Sequence, residues 1–163
     1  MLLICPATYD LRNSTKKLAL RDWPLEYWIN LIGKVEKHGI EYRIVVTKEL
    51  SKKFTKFKNK ILFANSLEHL FAIIDSAKLV LTQDSGFMHI ARFKKTKVIA
   101  LFGPTDPEIF VQSEEIIIRN EKISCSPCHD GRKFSNCSDN ICMKTINPED
   151  VFSVVLKNLE DFM

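Results

Sequence analysis

Short apolar runs rich in β-branched residues alternate along this chain with segments whose apolar residues recur at helical spacing. That alternation is the pattern of an α/β domain built on a parallel sheet. The runs are Leu2 to Cys5, Tyr42 to Thr47, Lys60 to Phe63, Leu79 to Thr82, Val98 to Phe102 and, more weakly, Ile116 to Ile118. Most are near-continuously apolar, with no alternation of polar residues, which is expected of strands covered by helices on both sheet faces. At 163 residues the chain has the length of one domain. With 45% hydrophobic and 27% charged residues, it falls outside the disordered, collagenous and coiled-coil classes.

Between the first two runs Pro24 occupies the first position of a predicted helix, followed by Leu25, Trp28, Ile29, Ile32 and Val35 on one face and by Gly39 as its stop. A second helix is expected after Ser66 with Leu67, Leu70, Phe71 and Ile74 as its buried stripe, ending near Ala77. A third, short helix is expected from Gly86 to Phe93. Near the C-terminus Asn147 can cap a helix with Pro148 at its first position, Glu149 and Asp150 in its first turn, and Val151, Val154, Val155 and Leu159 facing inward.

No apolar run approaches the roughly 20 residues of a membrane-spanning helix. The opening Met1-Leu2-Leu3-Ile4-Cys5 has neither the basic leader nor the apolar stretch of about 7 to 15 residues of a signal peptide, and reads as a strand. The expected compartment is the cytoplasm, where the five cysteines are thiols or metal ligands and not disulfides. A formal charge of +4, from 24 basic and 20 acidic residues, excludes a general nucleic-acid binder. The charge is uneven: Lys48 to Lys60 holds six lysines and one glutamate, a solvated helix face or, alternatively, an anion-facing surface.

The segment Leu79-Val80-Leu81-Thr82-Gln83-Asp84-Ser85-Gly86-Phe87-Met88-His89 runs from a buried strand through a small-residue turn into a helix. Ligands of open α/β sheets bind beyond the carboxyl ends of strands, where a helix start aims N–H groups and its positive dipole end at an anion. Gly86 permits close backbone approach, Ser85 adds a hydroxyl, His89 lies one turn further on, and Asp84 can accept from ribose or sugar hydroxyls. The plainer alternative is that Asp84 or Ser85 merely caps the helix and His89 is a satisfied core residue. The next strand favours the ligand reading, because Phe102 leads into Gly103-Pro104-Thr105-Asp106-Pro107 on the same rim.

Asp84-Ser85-Gly86-Phe87-Met88-His89-Ile90-Ala91 followed by Phe102-Gly103-Pro104-Thr105-Asp106-Pro107 resembles the C-terminal half of glycosyltransferase family 9, the ADP-heptose:lipopolysaccharide heptosyltransferases. Arg21-Asp22-Trp23-Pro24 resembles the basic-x-Trp-Pro start of that half's first helix, and Cys125-Ser126-Pro127-Cys128 through Cys142-Met143 resembles its cysteine-bearing tail. The likeness runs from about Leu3 to Leu159. It implies the Rossmann-like C-terminal domain of a GT-B fold, holding a nucleotide diphosphate sugar such as ADP-heptose for metal-free, inverting transfer in lipopolysaccharide or surface-glycan synthesis. It further implies Asp84, Ser85, Gly86 and His89 as donor contacts, Thr8 facing the phosphates, Glu49 meeting the nucleoside, and Arg21 as the catalytic cation stabilising the departing diphosphate.

The departures bear on function. Ala7 to Leu20 is longer and more polar than the usual loop, and Thr47-Lys48-Glu49 lacks the glycines common at that turn. The acceptor-binding half, with the carboxylate that deprotonates the acceptor hydroxyl, has no counterpart here. A lipopolysaccharide core or other acceptor glycan would therefore be met through a missing domain or partner chain. The alternative is a truncated or split half that binds nucleotide or a partner without transferring on its own; a weaker one is an interaction protein on an old scaffold. The expected organisation is one nucleotide-sugar-binding domain over 1–163 with a cysteine-containing loop at 125–142. Cys125, Cys128, Cys137 and Cys142 are candidate ligands of a structural zinc, with packed reduced thiols as the alternative. The lysine-rich face suggests peripheral contact with the inner face of an anionic membrane, and apolar surface left by the missing half would favour an oligomer.

Overall fold

The computed structural model describes residues 1–6, 20–112, 114–129 and 133–160. Among them six strands form: β1 (Leu2–Cys5), β2 (Tyr42–Val45), β3 (Ile61–Leu62), β4 (Leu79–Gln83), β5 (Lys97–Leu101) and β6 (Ile116–Ile118). They make one sheet in the order β3-β2-β1-β4-β5-β6, and every neighbouring pair is parallel. The described helices are α1 (Leu25–Lys37), α2 (Lys48–Ser51), α3 (Leu67–Asp75), α4 (Gly86–Phe93), α5 (Pro107–Phe110), α6 (Ile141–Lys144) and α7 (Pro148–Glu160), with a 3-10 segment at Thr55–Lys60.

The apolar strands make sense once both faces are seen to be covered. Leu2, Ile4, Ile44, Leu79, Leu81 and Ile99 point to one side, against Trp28, Leu31, Ile32 and Val35 of α1 and Val151 and Val155 of α7. Leu3, Cys5, Val45, Val80, Val98 and Ala100 point to the other, against Ile73 and Ile74 of α3 and Phe87, Met88 and Ala91 of α4. Fully burying each such Leu or Ile contributes about 1.5–3 kcal/mol relative to exposure, so the double-sided core sets the strand register. Burial also pushes the Cys5 thiol's pKa up, leaving it a core residue.

The chain winds from β1 outward through β2 and β3, then crosses to the other side of β1 and winds outward again through β4, β5 and β6. The connections diverge between β1 and β4, opening a crevice beyond their carboxyl ends. Several helix starts are locally encoded. Ser66 Oγ accepts from the His69 N–H at 3.1 Å, Asn147 Oδ1 from Glu149 N–H at 2.9 Å, and Asp106 Oδ1 from Glu108 N–H at 3.0 Å.

Two details differ from the sequence reading, and a third, the lysine-rich stretch, is as its solvated-face reading expects. Pro24 sits just outside α1 with an extended ψ of 136°, its carbonyl accepting from Tyr27 and Trp28. Leu67 is 57% exposed and not part of a buried stripe; the buried pair of α3 is Ile73 and Ile74. The lysine-rich stretch folds as α2 plus the 3-10 segment. Phe54 and Phe57 pin it to the core while Lys48, Lys52, Lys53, Lys56 and Lys58 stay exposed. No described helix is long and apolar enough to cross a membrane.

Candidate functional site

At the end of β4 the backbone turns sharply into α4, and the turn residues are held from three directions. The Asp84 N–H donates to the Leu101 carbonyl at 3.0 Å, tying the turn to β5. Ser85 is the helix N-cap, but its hydroxyl makes no cap bond; it pairs with the Thr82 hydroxyl at 2.9 Å. The plain capping alternative therefore does not hold for Ser85, and first-turn N–H groups of α4 remain without a side-chain cap. Asp84 is only 4% exposed, and its Oδ2 accepts from Thr105 Oγ1 at 2.7 Å and from Arg21 Nη1 at 3.5 Å.

Arg21 reaches this point because its own segment is clamped by buried side chains. Gln83 donates to the Asp22 carboxylate at 2.6 Å and accepts from the Trp23 N–H at 3.1 Å. Asn140 donates to the Asp22 carbonyl at 2.9 Å, and the Trp23 indole donates to the Ile146 carbonyl at 3.0 Å. The guanidinium, 31% exposed, lies 6.0 Å from the centre of the Phe134 ring. Its Nη1 donates to Asp84, and a guanidinium fork is a donor set that an anion can meet.

Arg21, Asp84, Ser85, Gly86, His89 and Thr105 line one cleft of about 320 Å³ together with Phe110, His129 and Phe134. A second cavity of about 610 Å³ lies beside it, walled by Val45, Val46, Thr47, Phe63, Leu67 and Phe87. Gly86 lines both. A Cβ built on Gly86 meets no atom within 4 Å, so this residue opens directly into the shared space.

Of the sequence-derived candidates, Arg21, Asp84, Ser85, Gly86 and His89 are thus brought to one cleft. Glu49 is not: Thr47 caps α2 and turns Glu49 outward, where it is exposed and pairs with Lys52 at 2.8 Å. That hydrogen bond holds its carboxyl below the usual range. Thr47 and Lys48 line the large cavity in its stead. Thr8 lies outside the described residues. Thr105, His129 and Phe134 were not assigned a role by sequence reasoning. Thr105 stands in the turn after β5, where its position was a signal; the other two come from the far tail.

All five cysteines are unbridged. Burial raises the Cys142 pKa, with the charges of Cys128, Cys125 and Cys137 adding to it. Among the described residues no three His, Cys, Asp or Glu side chains gather into a set that could hold a metal ion. The zinc expectation therefore has no donor set here, and the tail is secured by other bonds. Ser126 Oγ donates to the Gly103 carbonyl at 2.6 Å, and the N–H groups of Cys128 and His129 donate to the Pro104 carbonyl at 2.8 and 3.0 Å. A Cβ on Gly103 would stand 2.8 Å from Met143 Cγ and 3.0 Å from Cys142 Sγ. Gly103→Ala is therefore expected to destabilise the fold by about 1–3 kcal/mol in chemical denaturation, by forcing buried Met143 aside. An unchanged midpoint would show that α6 yields freely.

A six-stranded parallel sheet with helices on both faces and a crevice at its switch point defines a Rossmann-like α/β domain. Residues 1–137 match the family described as glycosyltransferase family 9 (heptosyltransferase), and the chain belongs to that family. Lipooligosaccharide heptosyltransferase 2 of Campylobacter jejuni is 31% identical over 130 residues, which cover 77% of this chain and 38% of that protein. The E. coli heptosyltransferase WaaC, solved with ADP-2-deoxy-2-fluoro heptose, superposes with a TM-score of 0.67 at 19% identity, over 96% of this chain and 42% of that one. The iron-containing dodecameric glycosyltransferase TibC from enterotoxigenic E. coli superposes with a TM-score of 0.72 at 12% identity, over 99% and 45% of the two chains. The chain thus spans less than half the length of these relatives. Its fold is that of one Rossmann-like half of a GT-B enzyme, as the sequence led one to expect.

Proposed function

We propose that this chain binds the nucleotide diphosphate sugar of an inverting glycosyltransferase in lipopolysaccharide or surface-glycan synthesis, ADP-heptose first among the candidates, with residues 1–163 acting as one donor-binding domain. The observation that carries the reading is the pair of cavities joined at Gly86 on the carboxyl rim of the sheet. The polar cleft suits a diphosphate, since it collects the start of α4, the Ser85 hydroxyl, His89 and the Arg21 guanidinium. The apolar cavity suits the nucleoside base. Family membership and the ADP-sugar bound by WaaC support the same assignment.

In this reading Arg21 stabilises charge growing on the diphosphate as the sugar departs, and Asp84, buried beneath it, holds the guanidinium in place. No metal takes part, and no residue of this chain is assigned to acceptor binding or proton removal. Those roles fall to a complementary half, which would carry the acceptor glycan or lipopolysaccharide core. A second reading is binding without transfer by this chain alone.

Calorimetric titration of the purified chain with ADP, UDP and ADP-heptose tests the proposal. ADP and ADP-heptose are expected to bind, and Arg21→Gln and His89→Ala to weaken each by about tenfold or more, the worth of one hydrogen bond to a charged group. A folded chain that binds none of the three would overturn the donor-site assignment. Binding without turnover in the presence of acceptor would select the second reading.

A further inference from the structure

His89 lines the polar cleft from α4, and its Nδ1 lies 3.0 Å from Nη2 of Arg92, one turn further along the helix. A guanidinium offers only N–H donors and keeps its charge at any pH a protein survives. Nδ1 is therefore the acceptor of this bond. A neutral imidazole that accepts at one nitrogen carries its proton on the other, and a second proton on Nδ1 would set two cations in contact.

Arg92 is itself held. Its Nη1 donates to the Phe110 carbonyl at 2.9 Å and to Glu115 Oε1 at 3.1 Å. The Glu115 side chain is 1% exposed, and its Oε2 accepts from the Gln112 N–H at 2.9 Å. A buried carboxylate fixed at both oxygens thus orients the guanidinium, and the guanidinium orients the ring.

We propose that Arg92, braced by Glu115, is a positioning residue that fixes His89 as the Nε2–H tautomer, so that the ring presents a donor to the cleft and selects an acceptor oxygen of the ligand. His89 then acts as a neutral hydrogen-bond donor to an anion such as a diphosphate, and not as a general base. The identity of that anion rests on the donor-site reading; the tautomer does not.

Long-range proton–nitrogen correlation spectra of the ¹⁵N-labelled full chain at neutral pH, without ligand, read the tautomer directly, with His89→Gln assigning its signals among the other histidines. The expected spectrum shows His89 protonated at Nε2 and bare at Nδ1. Arg92→Met should turn this into exchange between tautomers and weaken ADP by about fivefold, and Arg92→Lys, which keeps a cationic donor, should restore both. A wild-type ring protonated at Nδ1, or at both nitrogens, overturns the proposal. So does an Arg92→Met chain, folded by circular dichroism, whose His89 signals are unchanged. Should Arg92→Met not fold, the wild-type spectrum still decides. If the tautomer is as expected and ADP fails to bind, the donor-site reading falls and the tautomer stands; if ADP binds to a ring protonated at Nδ1, the reverse holds.

Discussion

Gly86→Val is expected to lower ADP affinity by more than about 100-fold while leaving the fold intact, because the new side chain enters the ligand's space and none of the protein's. The glycine lies on the wall of both cavities, and a Cβ there meets nothing within 4 Å. Its backbone is that of an ordinary first helical residue, so a β-branched side chain costs no more than a few tenths of a kcal/mol at this site. Gly86→Ala should give an intermediate loss, since one methyl narrows the junction without closing it. Titration calorimetry beside thermal denaturation separates the two effects. Full binding by a stable Gly86→Val chain would mean that the nucleotide does not pass along this wall.

The second large effect concerns stability. Gln83→Leu should destabilise the chain by about 2–4 kcal/mol in urea denaturation and weaken ADP in parallel. Gln83 is fully buried at the end of β4, where its amide accepts from the Trp23 N–H and donates to the Asp22 carboxylate. Leucine fills a similar volume with no polar atom, so the buried Trp23 amide loses its acceptor and the carboxylate loses a donor. The loss reaches Arg21 because the clamp fixes the two residues that follow it. A change below about 0.5 kcal/mol would show that Asn140 and the Trp23 indole bond hold the segment without help.

Local chemistry made much of the fold legible. β1, β6 and α4 span the residues anticipated for them, α3 and α7 start at their expected caps, α1 starts one residue after Pro24 and ends two residues before its glycine stop, and α3 ends within two residues of expectation. These segments combine long apolar patterning with a local start signal, and both act within a few residues. The pieces not anticipated are α5 and α6, four residues each, too short to show a period; α2 and the 3-10 segment fall in the lysine-rich stretch read as a solvated helix face. Leu67 was misplaced for a related reason. Periodicity states which residues share a helix face but not which of them the rest of the molecule covers, and Leu67 lines an open cavity.

The candidate site divides along the same line. Asp84, Ser85, Gly86 and His89 could be named together because one strand-turn-helix segment delivers all four, and Arg21 because its motif opens the first helix. Glu49 could be proposed, but its direction depended on the Thr47 cap and on Lys52. The cysteines could be proposed as a metal set, but their placement depended on how the tail hangs from Gly103 and Pro104, which nothing local encodes.

Sequence-local forces therefore settled the class of fold, the strand order's raw material and the turn that faces the crevice, since hydrophobic period, caps and glycine act within a few residues. Tertiary structure alone decided the rest. It brought Arg21 onto Asp84 across 63 positions, set Thr105, His129 and Phe134 around the cleft, and placed Glu115 against Arg92. Such contacts join residues far apart along the chain, and they form only when a six-stranded sheet has fixed where each strand ends.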